Sequence, residues 1–127
     1  GLTSSVGLTL LEPHINYTND VFTLLDRDII IKGMAHITGG GLIENIPRIL
    51  PENCTANINK GTWEILPVFN VMQSVGNIDE TEMFRTFNMG IGMIIIVSND
   101  EANRVRELIN VSEIGKIEEG EKGVKLI

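Results

Sequence analysis

Residues 93 to 97, Met-Ile-Ile-Ile-Val, narrow the choice of fold more than any other stretch of the chain. An unbroken run of β-branched apolar side chains suits a strand covered on both faces, and such a strand needs packed layers on either side of it. Ser98 and Glu101 follow at once with the Ser-x-x-Glu spacing of a capping box, so a helix is expected from there to about Asn110. A strand that passes directly into a helix points to helices layered on a sheet.

The remaining segments repeat this alternation. Residues 1 to 13, with small and apolar side chains ending in Pro13, read as an irregular lead-in. Thr18, Asn19 and Asp20 are good capping types before Val21, Phe22, Leu24 and Leu25, which predicts a helix from Asn19 to Arg27. Ile29 to Ile37 reads as a buried strand that stops at Gly39. Leu42, Ile43, Ile46, Ile49 and Leu50 recur at helical spacing, with Pro47 inside the run to kink or restart the helix. Cys54 to Lys60 reads as an edge strand, Pro67 to Val75 as a helix with proline in its first turn, and Asp79 to Phe84 as a short helix. The tail holds two short strands around a Gly-Glu-Lys-Gly turn. The fold class is α/β (α+β): a mixed β-sheet with packed helices, in one domain over residues 1–127.

Charge removes one class of function. With 127 residues and a net charge of −7, the chain offers no basic face for phosphate backbones, so no nucleic-acid partner is expected. The single cysteine, Cys54, has no second thiol to pair with, which suits a reducing compartment. The longest apolar run is too short to cross a bilayer, and the first residues lack the basic start of a signal peptide, so a cytoplasmic location without membrane contact is expected.

The chemistry-bearing stretch is His36-Ile-Thr38-Gly39-Gly40-Gly41, between the expected strand and helix. Two readings of it stand. Glycines at such a turn let an anion approach exposed backbone N–H groups, with the Thr38 hydroxyl as a further donor; or they only permit positive φ and close packing. His36 is either an acid, base or phosphate donor, or a buried strand histidine bonded to backbone. Asn45 and Arg48 could stand at the mouth of the turn, Arg48 as a partner for phosphate. Asn88, Gly90 and Gly92 form a second glycine-containing motif, Phe87 to Met93, where close packing competes with ligand approach. Met83, Met89 and Met93 read as core filler. The acidic groups, Asp79, Glu80 and Glu82 and then Glu118, Glu119 and Glu121, read as a helix start and a solvated tip, and no metal site is expected.

Taken together, GMAHITGGGLIENIPRILP and EMFRTFNMGIGMIIIV resemble the carboxy-terminal domain of the PurM family, the aminoimidazole ribonucleotide synthetases or phosphoribosylformylglycinamidine cyclo-ligases. LLEPHINYTNDV and TWEILPVF extend the resemblance over nearly the whole chain from Leu10. It implies ligase chemistry in purine biosynthesis: ATP-dependent closure of an imidazole ring in formylglycinamidine ribonucleotide. It also implies that ATP and Mg2+ are bound mainly by an amino-terminal domain, absent here, which forms the homodimer. The alternative is a stand-alone phosphometabolite-binding or assembly module without catalysis. The resemblance carries His36 to Gly41 and Asn88 to Gly92 as family motifs, with His36 the catalytic candidate. The chain departs from the pattern at Ser4 and Ser5, which Val6 and Gly7 follow where the family has a longer Ser-Ser-Gly segment and a later His-Ser-Asn-Gly-Tyr. The fragment alone is expected to be inactive.

Overall fold

The computed structural model describes residues 2–127. Six α-helices and five strands follow one another in the expected order, with one helix added at the front. That helix, α1 (Val6–Leu10), replaces the irregular lead-in: Ser5 caps it by accepting a hydrogen bond from the Leu8 N–H, and Ser4 bonds Thr9. Helix α2 (Thr18–Asp26) starts one residue early and buries Leu24.

Strand β1 (Gly33–His36) is shorter than Ile29 to Ile37, although the Lys32 and Ile37 N–H groups extend its pairing by bonding the Ile96 and Gly92 carbonyls. It pairs antiparallel with β3 (Met93–Ile96) to make a two-stranded sheet. Alternation along β3 sends Ile94 and Ile96 into the main core and Ile95 and Val97 into a second cluster around Leu24, Ile29 and Val105. The Met-Ile-Ile-Ile-Val run thus meets apolar side chains on both faces, with Ile94 buried and its neighbours half-buried.

After the glycines, α3 (Gly41–Asn45) gives way to a 3₁₀ turn, Ile46–Ile49, with Pro47 in its first turn. Proline lacks the N–H that an α-helix needs at that point, so the chain restarts there with tighter winding. Pro67 opens α4 (Pro67–Gly76), which closes at Asn77 in the left-handed conformation. Asp79 caps α5 (Glu80–Thr86) by accepting from the Thr81 N–H. Phe84 and Met83 from α5 are fully buried with Ile37, Leu42 and Ile46.

Three expectations are corrected. Strand β2 (Cys54–Ile58) is the centre of a mixed three-stranded sheet, because β4 (Gly115–Glu119) pairs antiparallel on one flank and β5 (Gly123–Leu126) parallel on the other. The two tail strands therefore do not form a hairpin; they straddle β2, and the Thr55 hydroxyl bonds the Glu121 carbonyl where the chain crosses between them. The Ser98 capping box does not form: Ser98 makes no side-chain cap, and Glu101 instead holds Arg104 at 3.1 Å. A 3₁₀ turn, Asn99–Glu101, takes its place before α6 (Ala102–Leu108).

Candidate functional site

Each of the three glycines has its own reason. Gly41, at φ +55°, is buried so closely against α5 that an added Cβ would lie 2.1 Å from the Phe84 carbonyl oxygen and 2.6 Å from that of Phe87. Gly40 takes φ +97°, a region that L side chains rarely adopt, and the Glu44 side chain lies across it. Gly39 has neither constraint: a Cβ there would meet nothing within 4 Å. Packing accounts for two glycines and leaves the third facing open space.

Asn45 fixes the turn from inside. Its buried amide donates to the carbonyls of Gly41 at 2.9 Å, Gly39 at 3.2 Å and Thr38 at 3.3 Å, while its Oδ1 accepts from Arg48 at 3.3 Å. With three carbonyls turned inward, the N–H groups of Thr38, Gly39 and Gly40 donate to no acceptor among the described residues. The exposed Arg48 guanidinium, bonded to Asn45, has no carboxylate within 4.0 Å among them either. Helix α3 is only five residues long, so its dipole adds little at the turn.

The second motif packs against the first. Gly41 rests on the Phe84 and Phe87 carbonyls, and the Ile37 N–H bonds the Gly92 carbonyl at 2.9 Å. Asn88 and Gly90 serve their own turn: the Asn88 side chain accepts from the Gly90 N–H, Gly90 takes φ +91°, and Trp63 Nε1 donates to the Met89 carbonyl. Gly92 is different, because a Cβ there would lie 2.2 Å from the Tyr17 hydroxyl and 2.7 Å from His14 Cε1. Its missing side chain makes room for two residues that the sequence reading left unassigned.

His36 is exposed, which removes the buried-histidine reading, and its Nε2 lies 3.2 Å from His14 Nε2. His14 Nδ1 lies 3.0 Å from the Ile15 carbonyl, which can only accept, so in the neutral ring Nδ1 carries the proton and Nε2 the lone pair. Neutral His36 therefore donates from Nε2 and keeps its Nδ1 lone pair free. Tyr17 stands edge-on to His14 with ring centroids 5.7 Å apart. A groove of about 460 Å³ opens beside them, walled by Ile15, Tyr17, Phe22, Met34, His36 and Met93. No spacing rule joins His14 to a strand 22 residues later; the Pro-His-x-x-Tyr stretch before a helix was the only available signal.

The Tyr17 phenol is pushed above its ordinary pKa by burial first and by Asp20 second, against a hydrogen bond with the Gly92 backbone that lowers it. An unfolded tyrosine gives up its proton at about pH 10 while the folded one still holds it, so this group costs stability as pH rises past that value. Absorbance titration of the chain's one tyrosine should give a midpoint above the ordinary value, and Asp20→Asn should bring it down. A midpoint at or below the ordinary value would contradict the arrangement around Gly92.

A mixed sheet with packed helices, and a strand-to-helix turn with three backbone donors unpaired among the described residues, define an α+β domain. Residues 3–126 match the family model described as AIR synthase related protein, C-terminal domain, and the chain belongs to that family. It is 49% identical over 130 residues to a phosphoribosylformylglycinamidine cyclo-ligase of Caldicellulosiruptor saccharolyticus, covering 98% of this chain and 38% of the relative. Proteins of the same name from Syntrophotalea carbinolica and Citrifermentans bemidjiense are 47% and 43% identical, covering 97% and 100% of this chain. The chain spans 37 to 38% of the length of these relatives. The crystal structure of E. coli HypE, a hydrogenase maturation protein, shares the fold, with a TM-score of 0.64 at 20% identity over 87% of this chain and 36% of that one. Among the described residues no helix is long and apolar enough to cross a membrane.

Proposed function

We infer that this chain is the carboxy-terminal part of a phosphoribosylformylglycinamidine cyclo-ligase, and that it holds a phosphate group on the Thr38–Gly40 turn. The single observation that carries this reading is the set of three N–H groups, unpaired among the described residues, around the sterically open Gly39. The names of the relatives supply the reaction, ring closure on formylglycinamidine ribonucleotide. ATP supplies activation of the formyl oxygen by phosphoryl transfer. This chain's residues bind and orient: the turn takes phosphate oxygens, Arg48 adds charge, and Asn45 keeps the carbonyls turned away. His36, with its Nδ1 lone pair free, is the candidate to accept a proton from a ring-closing nitrogen.

Among the described residues no three His, Cys, Asp or Glu side chains group together to hold a metal ion. On this reading a magnesium ion accompanying ATP takes its protein ligands mainly from the amino-terminal part of the longer protein, which the same reading makes a cytoplasmic homodimer. A second reading, a stand-alone phosphometabolite-binding module, draws on the fact that the turn, its clamp and Arg48 all lie within this chain. Mixing the chain with a separately produced amino-terminal part separates the two: cyclisation supports the ligase, and phosphate binding without cyclisation supports the module.

Gly39→Val in a full-length cyclo-ligase tests the phosphate assignment directly. It should leave the melting temperature unchanged and raise KM by roughly tenfold, a loss of about 1.4 kcal/mol. Unchanged KM and kcat would remove the phosphate from this turn. Gly40 is a poorer test, because its positive φ would confound any result with backbone strain.

A further inference from the structure

We propose that His14 and His36 form a two-histidine site for a divalent transition-metal ion of the zinc class, open to the groove. Two nitrogens bound to one tetrahedral Zn2+ at about 2.0–2.1 Å lie about 3.3 Å apart. His14 Nε2 and His36 Nε2 lie 3.2 Å apart, so the pair already spans the bite of one ion. The rings are exposed, with planes at 76°, so both can turn until their nitrogens, which now point at each other, point at a third atom.

The outer shell is also in place. A metal-bound histidine commonly donates its other N–H to a carboxylate or backbone carbonyl, which fixes the tautomer and makes the ligating nitrogen more basic. His14 does so through Nδ1 to the Ile15 carbonyl, which leaves its Nε2 lone pair aimed at His36. Gly92 gives the ring its seat, since a Cβ at that position would lie 3.0 Å from His14 Nε2. His36 adjusts by one proton: the hydrogen on Nε2 passes through solvent to Nδ1, which frees Nε2 for the ion without net proton release, so ion binding and proton uptake at Nδ1 exclude each other. The two histidines leave two positions of a tetrahedral ion for water or ligand oxygens, one more than a zinc site with three protein ligands leaves. Imidazole pairs suit zinc, copper and nickel, whereas magnesium prefers oxygen ligands, so the ion that accompanies ATP does not compete on equal terms here.

The test is calorimetric titration of the chain with Zn2+ alone at neutral pH, with no nucleotide or substrate present, so its outcome is independent of the ring-closure reading. One ion should bind per chain, and His14→Gln and His36→Gln should each weaken binding by roughly tenfold or more. Cu2+ should bind more tightly than Zn2+, with two nitrogen couplings in its electron paramagnetic resonance spectrum, one of them lost in either variant. Circular dichroism should show both variants folded, as expected for exposed side chains. The proposal is overturned if Zn2+ does not bind the folded chain, or if either folded variant binds it as well as the unaltered chain does.

Discussion

Gly41→Ala should destabilise the fold by about 3 kcal/mol or more, the upper range for overpacking, and lower its melting temperature by about 10 °C. One methyl group has this effect because of what it meets. Its carbon would lie 2.1 Å from the Phe84 carbonyl oxygen and 2.6 Å from that of Phe87, backbone atoms with no flexible end to swing away. Relief requires α3 and α5 to separate, which pulls Leu42 and Phe84 out of a fully buried contact region. Positive φ adds a further cost for any residue with a Cβ. Thermal denaturation of Gly41→Ala beside Gly39→Ala checks the argument within one turn, because the second substitution adds a methyl to open space. Equal melting temperatures for the two variants would show that α3 and α5 do not approach as described.

Asn45→Asp should be nearly as damaging, although it preserves shape. The amide nitrogen that serves the carbonyls of Thr38, Gly39 and Gly41 becomes an oxygen facing three others, at a residue only 5% exposed. Arg48 offsets part of the new charge, but it contacts the opposite oxygen and is itself exposed. A cost of about 3 kcal/mol at neutral pH is expected, from a lost donor and a buried charge together. The sign of the pH dependence follows from burial. The introduced carboxyl holds its proton in the fold to higher pH than in the unfolded chain, so the charge part of the penalty is absent well below about pH 4 and grows as pH rises through that value. Denaturant titrations at acidic and neutral pH check this: the gap between Asn45→Asp and the unaltered chain should widen with pH. A gap that is the same at both, or that narrows, would mean that the amide does not hold the turn.

Much of the element order was legible because its signals are local. Pro47, Pro67 and Asp79 each act within one helical turn, through a missing N–H, a preset φ or a side-chain cap, and each does so in the structure. Strand pairing is not local. Cys54 to Ile58 carries no mark that says centre rather than edge, since its neighbours arrive some sixty residues later in the register Asn57 with Lys116 and Asn57 with Lys125. The capping box failed for a related reason: the spacing was right, but Arg104 offered Glu101 a charged partner and the backbone there wound into a 3₁₀ turn. At the site, His36 and the glycine turn stood out in the sequence, while the partners that give them geometry did not. Asn45, expected near the mouth of the turn, is buried and donates to the turn's own carbonyls. His14 and Tyr17 became visible only once Gly92 was seen as the space they occupy.

The straddled arrangement around β2 has a consequence for how the chain comes off the ribosome. Both flanks of that strand are supplied by residues 115 to 126, so Ala56 and Ile58, buried in the finished domain, have no sheet partners until those residues have been made. Pairing across such a separation is slow because a long loop must close first. The nascent chain thus carries an apolar strand with two open edges until Leu126 has emerged, and a pause in translation before residue 115 would lengthen the time in which another chain could take that place.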